Sequence, residues 1–323
     1  MRFGCPRPAG TVGLALFGLA MAACTSSTSN KTGAHRALLV ANYDSSSISI
    51  FQDATTSSST PVDQLAGANT GLQGPWGVAT DSLGRIYVAN LDSNSITVYA
   101  AGATGNSAPA AKIQGSSTLL NLPGGIVVDG SGIVYVSGIQ PAIVEAFAPG
   151  ANGNVPPLFT ISGNATGLTK PRGLVRDAAG DLYVANVGGN SVTVYQAGSA
   201  GNHAPDRIIA GASTGLDGPV GIALFWTGQI AVTNAAGNSV TIFDHGATGN
   251  AIPLATISEA STGLNSPHGV AVDSAGRIYV ANTGTNAILI FDVGANGNVA
   301  PIATLTSTHL GSPLGATFSL PPP

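Results

Sequence analysis

The sequence predicts an all-β fold, a six-bladed β-propeller of four-stranded antiparallel blades, and the spacing of two residue types leads to it. Valines recur in steps of 48 residues, at Val40, Val88, Val136, Val184, Val232 and Val280. Prolines mark a second position of the same unit, at Pro75, Pro123, Pro171, Pro219, Pro267 and Pro313, with the last interval shortened to 46 residues. A fixed period of this length is typical of propellers, solenoids and arrays.

Each unit is predicted to form four short strands, which we name a to d. In the second unit strand a covers residues 75–81, strand b residues 85–90, strand c residues 95–99 and strand d residues 110–113. Short runs of β-branched and aromatic residues bounded by Gly, Asn and Pro are typical of strands. The apolar runs of strands a and b are nearly continuous, which favours sheets covered on both faces, as stacked blades are.

The way in which the repeats are split between the two ends of the chain predicts a closed ring. The repeat region, residues 37–320, begins with strands b, c and d of one unit and ends with a lone strand a at residues 315–320. If the C-terminal strand pairs with the N-terminal three, the ring closes and no inner edge is left unpaired. An open solenoid gives no reason for such a split.

The first 23 residues are predicted to be a bacterial lipoprotein signal peptide. Arg2 and Arg7 precede an apolar stretch over residues 9–23, as in secretory signals. The sequence Met21-Ala22-Ala23-Cys24 resembles the lipobox of bacterial lipoproteins, which would make Cys24 the lipidated N-terminus. The alternative is cleavage by an ordinary signal peptidase, which would give a secreted or periplasmic protein.

The segments that flank the repeats are predicted to be a tether and a tail. Residues 24–36 are rich in Ser and Thr, and a flexible chain of that length reaches about 20 Å. Residues 321–323 are a proline tail. By resemblance to lipoproteins of Gram-negative bacteria, Thr25 after the cysteine implies sorting to the outer membrane. The predicted protein is therefore a monomer held to the cell envelope by its N-terminal lipid.

The charge pattern argues against nucleic acid as a partner. The chain has a net charge of −4 and contains 11 Lys and Arg residues. Its lysines are Lys31, Lys112 and Lys170, which are far apart in sequence. Neutralising phosphates requires clustered Lys and Arg, so we expect no nucleic-acid surface.

The repeat motifs resemble a known family. They are Pro-x-Gly-aliphatic-x-x-Asp, Gly-x-Ile-Tyr-Val-Ala-Asn and Asn-Ser-Val-Thr-Val-Tyr, and together they resemble the NHL repeat over about residues 37–320. They are also similar to the YVTN-type surface propellers and, more distantly, to the gluconolactonase-like propellers. The chain departs from the NHL pattern where Asn90, Asn186, Asn234 and Asn282 replace the usual Asp. The resemblance implies a six-bladed ring that binds ligands or partners at its faces or central channel.

Candidate binding residues follow the proline of strand a. The six blades carry Trp76, Gly124, Arg172, Val220, His268 and Leu314 there. We define the top face as the end with the d–a and b–c loops and the bottom face as the other end. Trp76, Arg172 and His268 stand on alternate blades and are predicted to line the top of the channel, where they could bind a small anionic or sugar-like ligand. The alternative is drift at a variable loop position.

A weaker pattern suggests a metal site. Glu259 and His268 share one d–a loop, and His309 lies in the next. Two histidines and a glutamate are ligands that Zn²⁺ or another divalent cation accepts, although their spacing matches no standard metal motif. The alternative is that they are solvated loop residues, and no cofactor other than this metal is expected.

Two further sets of residues are interpreted as turn formers. One is the row of asparagines at the b–c loops, and the other is the aspartates that end strand a, such as Asp81, because both residue types bond nearby backbone amides. The fifth blade replaces its aspartate with Phe225, followed by Trp226. We expect this aromatic pair to pack between blades, and an exposed contact site is the alternative.

The sequence therefore predicts a binding protein and nominates no catalytic residue. The leading hypothesis is a lipid-anchored scaffold of the cell envelope that binds a protein or a glycan. The alternative is a metal-dependent lactonase or lyase, similar to the gluconolactonase-like and streptogramin-lyase-like propellers, that would use Glu259, His268 and His309.

Overall fold

The structure is a computed structural model that describes residues 37–52, 54–57 and 59–319. Six four-stranded antiparallel sheets form the blades. Strand a of each blade contacts the strands a of its two neighbours, and together these strands surround a central channel. The fold predicted from the 48-residue step is confirmed.

The inner strands all begin at the repeated proline. They are β4 (Pro75–Thr80), β8 (Pro123–Val128), β12 (Pro171–Arg176), β16 (Pro219–Leu224), β20 (Pro267–Val272) and β24 (Pro313–Phe318). Proline suits the first residue of a strand, since it has no N–H to donate to the ladder. The strands b that pair with them are β5 (Ile86–Asn90), β9 (Val134–Gly138), β13 (Leu182–Asn186), β17 (Ile230–Asn234), β21 (Ile278–Asn282) and β1 (Leu38–Asn42).

The outer half of each blade consists of strands c and d. The strands c are β2 (Ser47–Phe51), β6 (Ser95–Tyr99), β10 (Ile143–Phe147), β14 (Ser191–Tyr195), β18 (Ser239–Phe243) and β22 (Ala287–Phe291). The strands d are β3 (Asp63–Leu65), β7 (Ala111–Gln114), β11 (Phe159–Ser162), β15 (Arg207–Ala210), β19 (Ala255–Ile257) and β23 (Ala303–Thr306). Short 3-10 helices occupy Ala68–Thr70, Ser116–Thr118, Val187–Gly189, Ala260–Thr262 and Thr283–Thr285.

The first blade closes the ring as the split repeat predicts. Its sheet has the order β24-β1-β2-β3, so the C-terminal strand joins the N-terminal three. β24 pairs antiparallel with β1, with Leu38 opposite Phe318 and Val40 opposite Ala316. The final strand runs from 313 to 318, about two residues earlier than predicted. We number the blades 1 to 6 from this closing blade, in chain order.

The hydrophobic core lies between neighbouring blades. In one such cluster Tyr87 and Ile96 of blade 2 pack with Ile126 and Val136 of blade 3. Because both faces of every blade are covered, strands b are buried at all five positions. This explains why their apolar runs are continuous rather than alternating.

A ring of glycines allows the inner strands to approach closely. The residue two positions after each repeated proline is Gly77, Gly125, Gly173, Gly221, Gly269 or Gly315. A Cβ atom at any of these six positions would lie 2.2–2.5 Å from a main-chain carbonyl oxygen of the next blade. That separation is well below van der Waals contact, so only glycine fits the present spacing of the blades.

The asparagines at the top face brace the loops. Asn90 is buried; its Nδ2 donates to Thr97 Oγ1 at 3.0 Å, and its Oδ1 accepts the N–H of Gln73 at 3.2 Å. Asn94, four residues later, adopts φ 47° and accepts the N–H of Leu122 in the next blade at 2.7 Å. The predicted turn role is confirmed, and these bonds also join neighbouring loops and blades.

Blade 3 departs from this pattern at two paired positions. Gly138 replaces the first asparagine, and Glu145 replaces the threonine that the asparagine would contact. Glu145 is fully buried, and both of its carboxylate oxygens lack a hydrogen-bond partner. Burial raises the pKa of Glu145 to about 8. The glutamate therefore carries a proton at neutral pH.

The aspartates at the bottom face form turns as predicted. Asp81 Oδ1 accepts the N–H groups of Leu83 at 3.0 Å and Arg85 at 2.9 Å. The expectation for the fifth blade is wrong for Trp226, which is 81% exposed at the tip of its turn. Phe225 alone turns inward and packs against the core between blades 5 and 6. There is room for one aromatic ring because Ala231 stands where four other blades have tyrosine.

Several predictions concern residues outside the described part of the chain. These are the signal peptide over residues 1–23, lipidation at Cys24, the tether over 24–36 and the tail over 321–323. Within the described residues, no helix has the length and apolar character needed to cross a membrane.

Candidate functional site

The three residues nominated at the top of the channel come from the same irregularity in strand a. In all six blades strand pairing shifts register just after the proline, so the next residue is left out of the ladder. Such bulges commonly redirect a side chain at the rim of a sheet. Directly after the proline, the unpaired residues of blades 2, 4 and 6 are Trp76, Arg172 and His268.

The structure brings these three side chains into contact. The guanidinium carbon of Arg172 lies 4.1 Å from the centroid of the Trp76 ring, within the range of a cation–π interaction. The His268 ring meets the same indole edge-on, with 5.6 Å between centroids and an interplanar angle of 68°. Residues from three alternate blades therefore form one cluster, which we call the mouth cluster.

Arg172 is the charged member of the mouth cluster. Burial lowers its pKa to about 10, and its Nη1 atom is buried without a hydrogen-bond partner. Among residues 37–52, 54–57 and 59–319, no carboxylate forms an ion pair with it. Arg172 as a whole is partly buried, and a desolvated cationic group such as its Nη1 is costly unless an anion accompanies it.

His268 is held by main-chain and side-chain oxygens. Its Nδ1 lies 3.0 Å from the carbonyl oxygen of Ser266 and 3.0 Å from Thr283 Oγ1. A carbonyl only accepts, so we assign the proton to Nδ1, which leaves Nε2 as a hydrogen-bond acceptor. Burial lowers the pKa of His268, and the charge of Arg172 lowers it further. The imidazole is therefore neutral at neutral pH.

Hydroxyl groups from the preceding blades fix the backbone of two members of the cluster. Ser137 Oγ donates to the carbonyl oxygen of Arg172 at 2.5 Å and accepts the N–H of Gly125 at 2.9 Å. Thr233 forms a short hydrogen bond to the carbonyl oxygen of His268. Four blades have alanine at this position. The sequence analysis did not single out Ser137 and Thr233. Comparison of the blades could have done so, because a hydroxyl-bearing residue replaces alanine at both positions.

The channel narrows below the mouth cluster. A small cavity of about 70 Å³ lies at the level of the glycine ring. Below it an apolar ring of one residue per blade separates this cavity from a lower one of about 310 Å³. The ring consists of Val78, Ile126, Leu174, Ile222, Val270 and Ala316. The upper compartment has room only for a small group, such as a carboxylate, rather than a whole sugar.

The residues nominated for a metal site are not gathered. Glu259 and His309 are exposed and follow outer strands, whereas His268 belongs to an inner strand. Glu259 is the N-cap of a 3-10 helix with φ 79°, and His309 Nδ1 lies 3.1 Å from Ser307 Oγ. In the described part of the chain, no group of three or more His, Cys, Asp or Glu side chains is placed to hold a metal ion.

The fold and the mouth cluster define the class of this protein as a six-bladed β-propeller whose inner strands present irregular side chains at the channel. The sequence profile of the NHL repeat matches two segments of the chain, residues 72–99 and 264–291. These segments contain strands a, b and c of blades 2 and 6. A comparison with curated proteins gave no match.

Several solved structures have a fold similar to that of this chain. A chain of a nidogen/laminin complex has a TM-score of 0.67 at 18% identity, covering 88% of this chain and 98% of that one. A Bacteroides caccae protein of unknown function has a TM-score of 0.65 at 13% identity, covering 88% and 99%. The periplasmic gluconolactonase of Pseudomonas aeruginosa has a TM-score of 0.58 at 16% identity, covering 89% and 99%. At these identities the similarities establish the fold alone.

Proposed function

We propose that the protein is a lipid-anchored propeller of the bacterial cell envelope that binds a protein or glycan partner at its top face. The partner would insert an anionic group, such as the carboxylate of a uronic acid or an acidic side chain, at the mouth cluster. The observation that supports this proposal is the buried, unpartnered Nη1 of Arg172. A carboxylate would satisfy it with a charge-assisted hydrogen bond.

The neighbours of Arg172 suit such a ligand. The guanidinium carbon of Arg172 lies 4.1 Å from the centroid of the Trp76 ring. This contact limits the motion of the arginine side chain and reduces the entropy lost on binding. The Nε2 of His268 can accept a hydrogen bond from a hydroxyl group of a sugar. The mouth cluster therefore offers one cation, one acceptor and one aromatic ring, a set that fits an acidic sugar.

Calorimetric titration with glucuronate tests the site, with glucose as the uncharged comparison. We expect glucuronate to bind and glucose to bind at least tenfold more weakly. Arg172→Met should abolish the difference between the two sugars. Arg207→Met is a matched control, because Arg207 also lies over an aromatic ring, that of Tyr183, but at the bottom face. Equal affinity of the wild type and the Arg172 variant for glucuronate would refute the proposed site.

The anchor and the competing enzymatic function have separate tests. Cys24→Ser should release the protein from the membrane fraction, and retention there would refute the lipid anchor. Metal analysis of the purified protein tests the alternative of a metal-dependent lactonase or lyase. A stoichiometric metal ion that is lost on His268→Ala would overturn the proposal of a binding scaffold.

A further inference from the structure

A cavity of about 480 Å³ opens at the bottom face between blades 1 and 2, away from the mouth cluster. Its floor is formed by the buried side chains of Leu39, Ile50 and Ile86. Exposed Gln52 and Asp63 stand at its entrance. An apolar floor with a few polar groups at the rim is typical of a site for an apolar ligand, and the volume lies in the usual range of about 300–1,000 Å³.

In blade 2 the corresponding space is filled by a polar cluster. Arg85 Nε donates to Asp81 Oδ2 at 2.6 Å, and the hydroxyl of Tyr87 donates to the same oxygen at 3.1 Å. Tyr87 is buried and packs against blade 3. Its ring and the arginine side chain cover the bottom of the contact between these two blades.

Blade 1 has the same pair of turn hydrogen bonds as blade 2, but its side chains at these positions are smaller. Ser319 N–H donates to the carbonyl oxygen of Ala37 at 2.8 Å, and Ala37 N–H donates to Ser319 Oγ at 3.0 Å. The aspartate and arginine of blade 2 make the same pair of bonds. Leu39 takes the tyrosine position. Serine, alanine and leucine are smaller than aspartate, arginine and tyrosine, and the cavity is the volume left over.

Blade 5 shows that the loss of the polar cluster does not by itself create such a cavity. Its three corresponding residues are Phe225, Gln229 and Ala231. There Phe225 turns inward and packs against the core shared with blade 6. In blade 1 the equivalent position is Ser319, which is too small to fill the space.

The bottom face is also the apolar end of the molecule. Ten large hydrophobic side chains are exposed among the described residues, and eight of them lie in a–b or c–d connections: Val62, Leu83, Leu158, Trp226, Ile252, Leu254, Val293 and Ile302. The described chain begins at Ala37 beside the cavity, 12 residues after Thr25. The tether and the lipidation at Cys24 are predictions from the sequence. A flexible chain of that length would reach about 20 Å and would bring the lipid to the entrance.

We propose that this cavity binds a fatty acyl chain whose head group is uncharged. The floor offers only hydrocarbon contacts, which an acyl chain matches. Asp63 at the entrance disfavours the carboxylate of a free fatty acid, since like charges repel. The chain could come from the lipid on the same protein or from a separate membrane lipid. This site is independent of the mouth cluster and of its proposed ligand.

Titration of the full-length Cys24→Ser protein with monolauroylglycerol, followed by calorimetry, tests the site. We expect saturable binding with one site per chain, and at least tenfold weaker binding of laurate at pH 7. The combined variant Ala37→Arg, Leu39→Tyr and Ser319→Asp rebuilds the cluster of blade 2 and should abolish binding. Trp226→Ser, which removes an exposed apolar side chain outside the cavity, should leave the calorimetric affinity unchanged.

Circular dichroism melting separates loss of the site from loss of the fold. If the combined variant is unfolded, Leu39→Phe fills the floor with one apolar ring and should weaken binding at least tenfold. Absence of saturable binding to the Cys24→Ser protein, or equal binding by the cavity-filling variants, would overturn the proposal. Binding to Cys24→Ser protein but not to lipidated wild type indicates that the protein's own lipid is the occupant. Equal binding to both indicates a separate lipid.

Discussion

Replacing Glu145 with glutamine should remove a pH dependence of stability that the buried carboxyl group imposes on the wild type. The side chain is fully buried without a hydrogen-bond partner, and burial raises its pKa from 4.5 to about 8. Glutamine has almost the same shape and carries no proton equilibrium in this range. The substitution therefore changes the ionisation of the site and leaves its packing nearly unaltered.

The direction of the effect follows from the two pKa values. Below pH 4.5 the folded and unfolded chains both hold the proton, so the carboxyl group lowers stability least there. As the pH rises toward 8, the unfolded chain ionises while the folded chain stays protonated, and the free energy of unfolding falls by about 1.4 kcal/mol per pH unit. Between pH 5 and pH 7 the expected loss from this group is about 2.5 kcal/mol.

Urea denaturation at pH 5 and pH 7 measures this loss. Other titrating groups contribute equally to both proteins, so the relevant quantity is the difference between the wild type and Glu145→Gln at each pH. The variant should gain about 2.5 kcal/mol over the wild type between the two conditions. A difference that is the same at both pH values would refute the reasoning and indicate that the carboxyl group is ionised, or partnered, inside the fold.

The remaining predictions concern the repeat itself. Combining Gly138→Asn and Glu145→Thr with Ile143→Ser rebuilds the buried pair of blade 2; the serine is needed because a Cβ at position 138 would lie 2.7 Å from Ile143 Cγ2. At pH 7 this variant should exceed Ile143→Ser alone in free energy of unfolding by about 3 kcal/mol, and no such difference in urea denaturation would contradict the role assigned to the pair. Gly173→Ala places a methyl group 2.5 Å from a carbonyl oxygen of the next blade and should lower stability by about 1–3 kcal/mol. Gly130→Ala, whose Cβ meets nothing within 4 Å, should change it by less than about 0.5 kcal/mol. Equal effects of these two alanines would contradict the close approach of the inner strands.

The fold could be predicted from the sequence because every blade repeats the same local signals. The step between Val40 and Val88, and the prolines from Pro75 onward, fixed the number of blades and the closing strand. Six copies of one pattern average out the ambiguity of any single short strand. Positions could then be compared between blades, and this comparison singled out Trp76, Arg172 and His268.

The contacts within the site could not be predicted in the same way. That Arg172 stacks on Trp76 depends on how far each side chain extends across the channel, which no repeat pattern encodes. The sequence predicts that both Phe225 and Trp226 pack between blades, because it does not show which of the two side chains the backbone of the turn directs inward. The cavity beside Leu39 results from three smaller residues that are distant in sequence, since Ser319 and Ala37 stand at opposite ends of the described chain.

The ring of glycines beneath the mouth cluster has a consequence for how this protein can change. Each glycine fits against a carbonyl oxygen of the next blade, and that oxygen belongs to the residue at the mouth position. At this contact the glycine meets the main chain of the mouth residue, so the close approach of the blades does not depend on which side chain stands there. Tryptophan, glycine, arginine, valine, histidine and leucine all occupy this position in one ring. Related chains can acquire new ligands by substitution there while the glycines keep the blades in register.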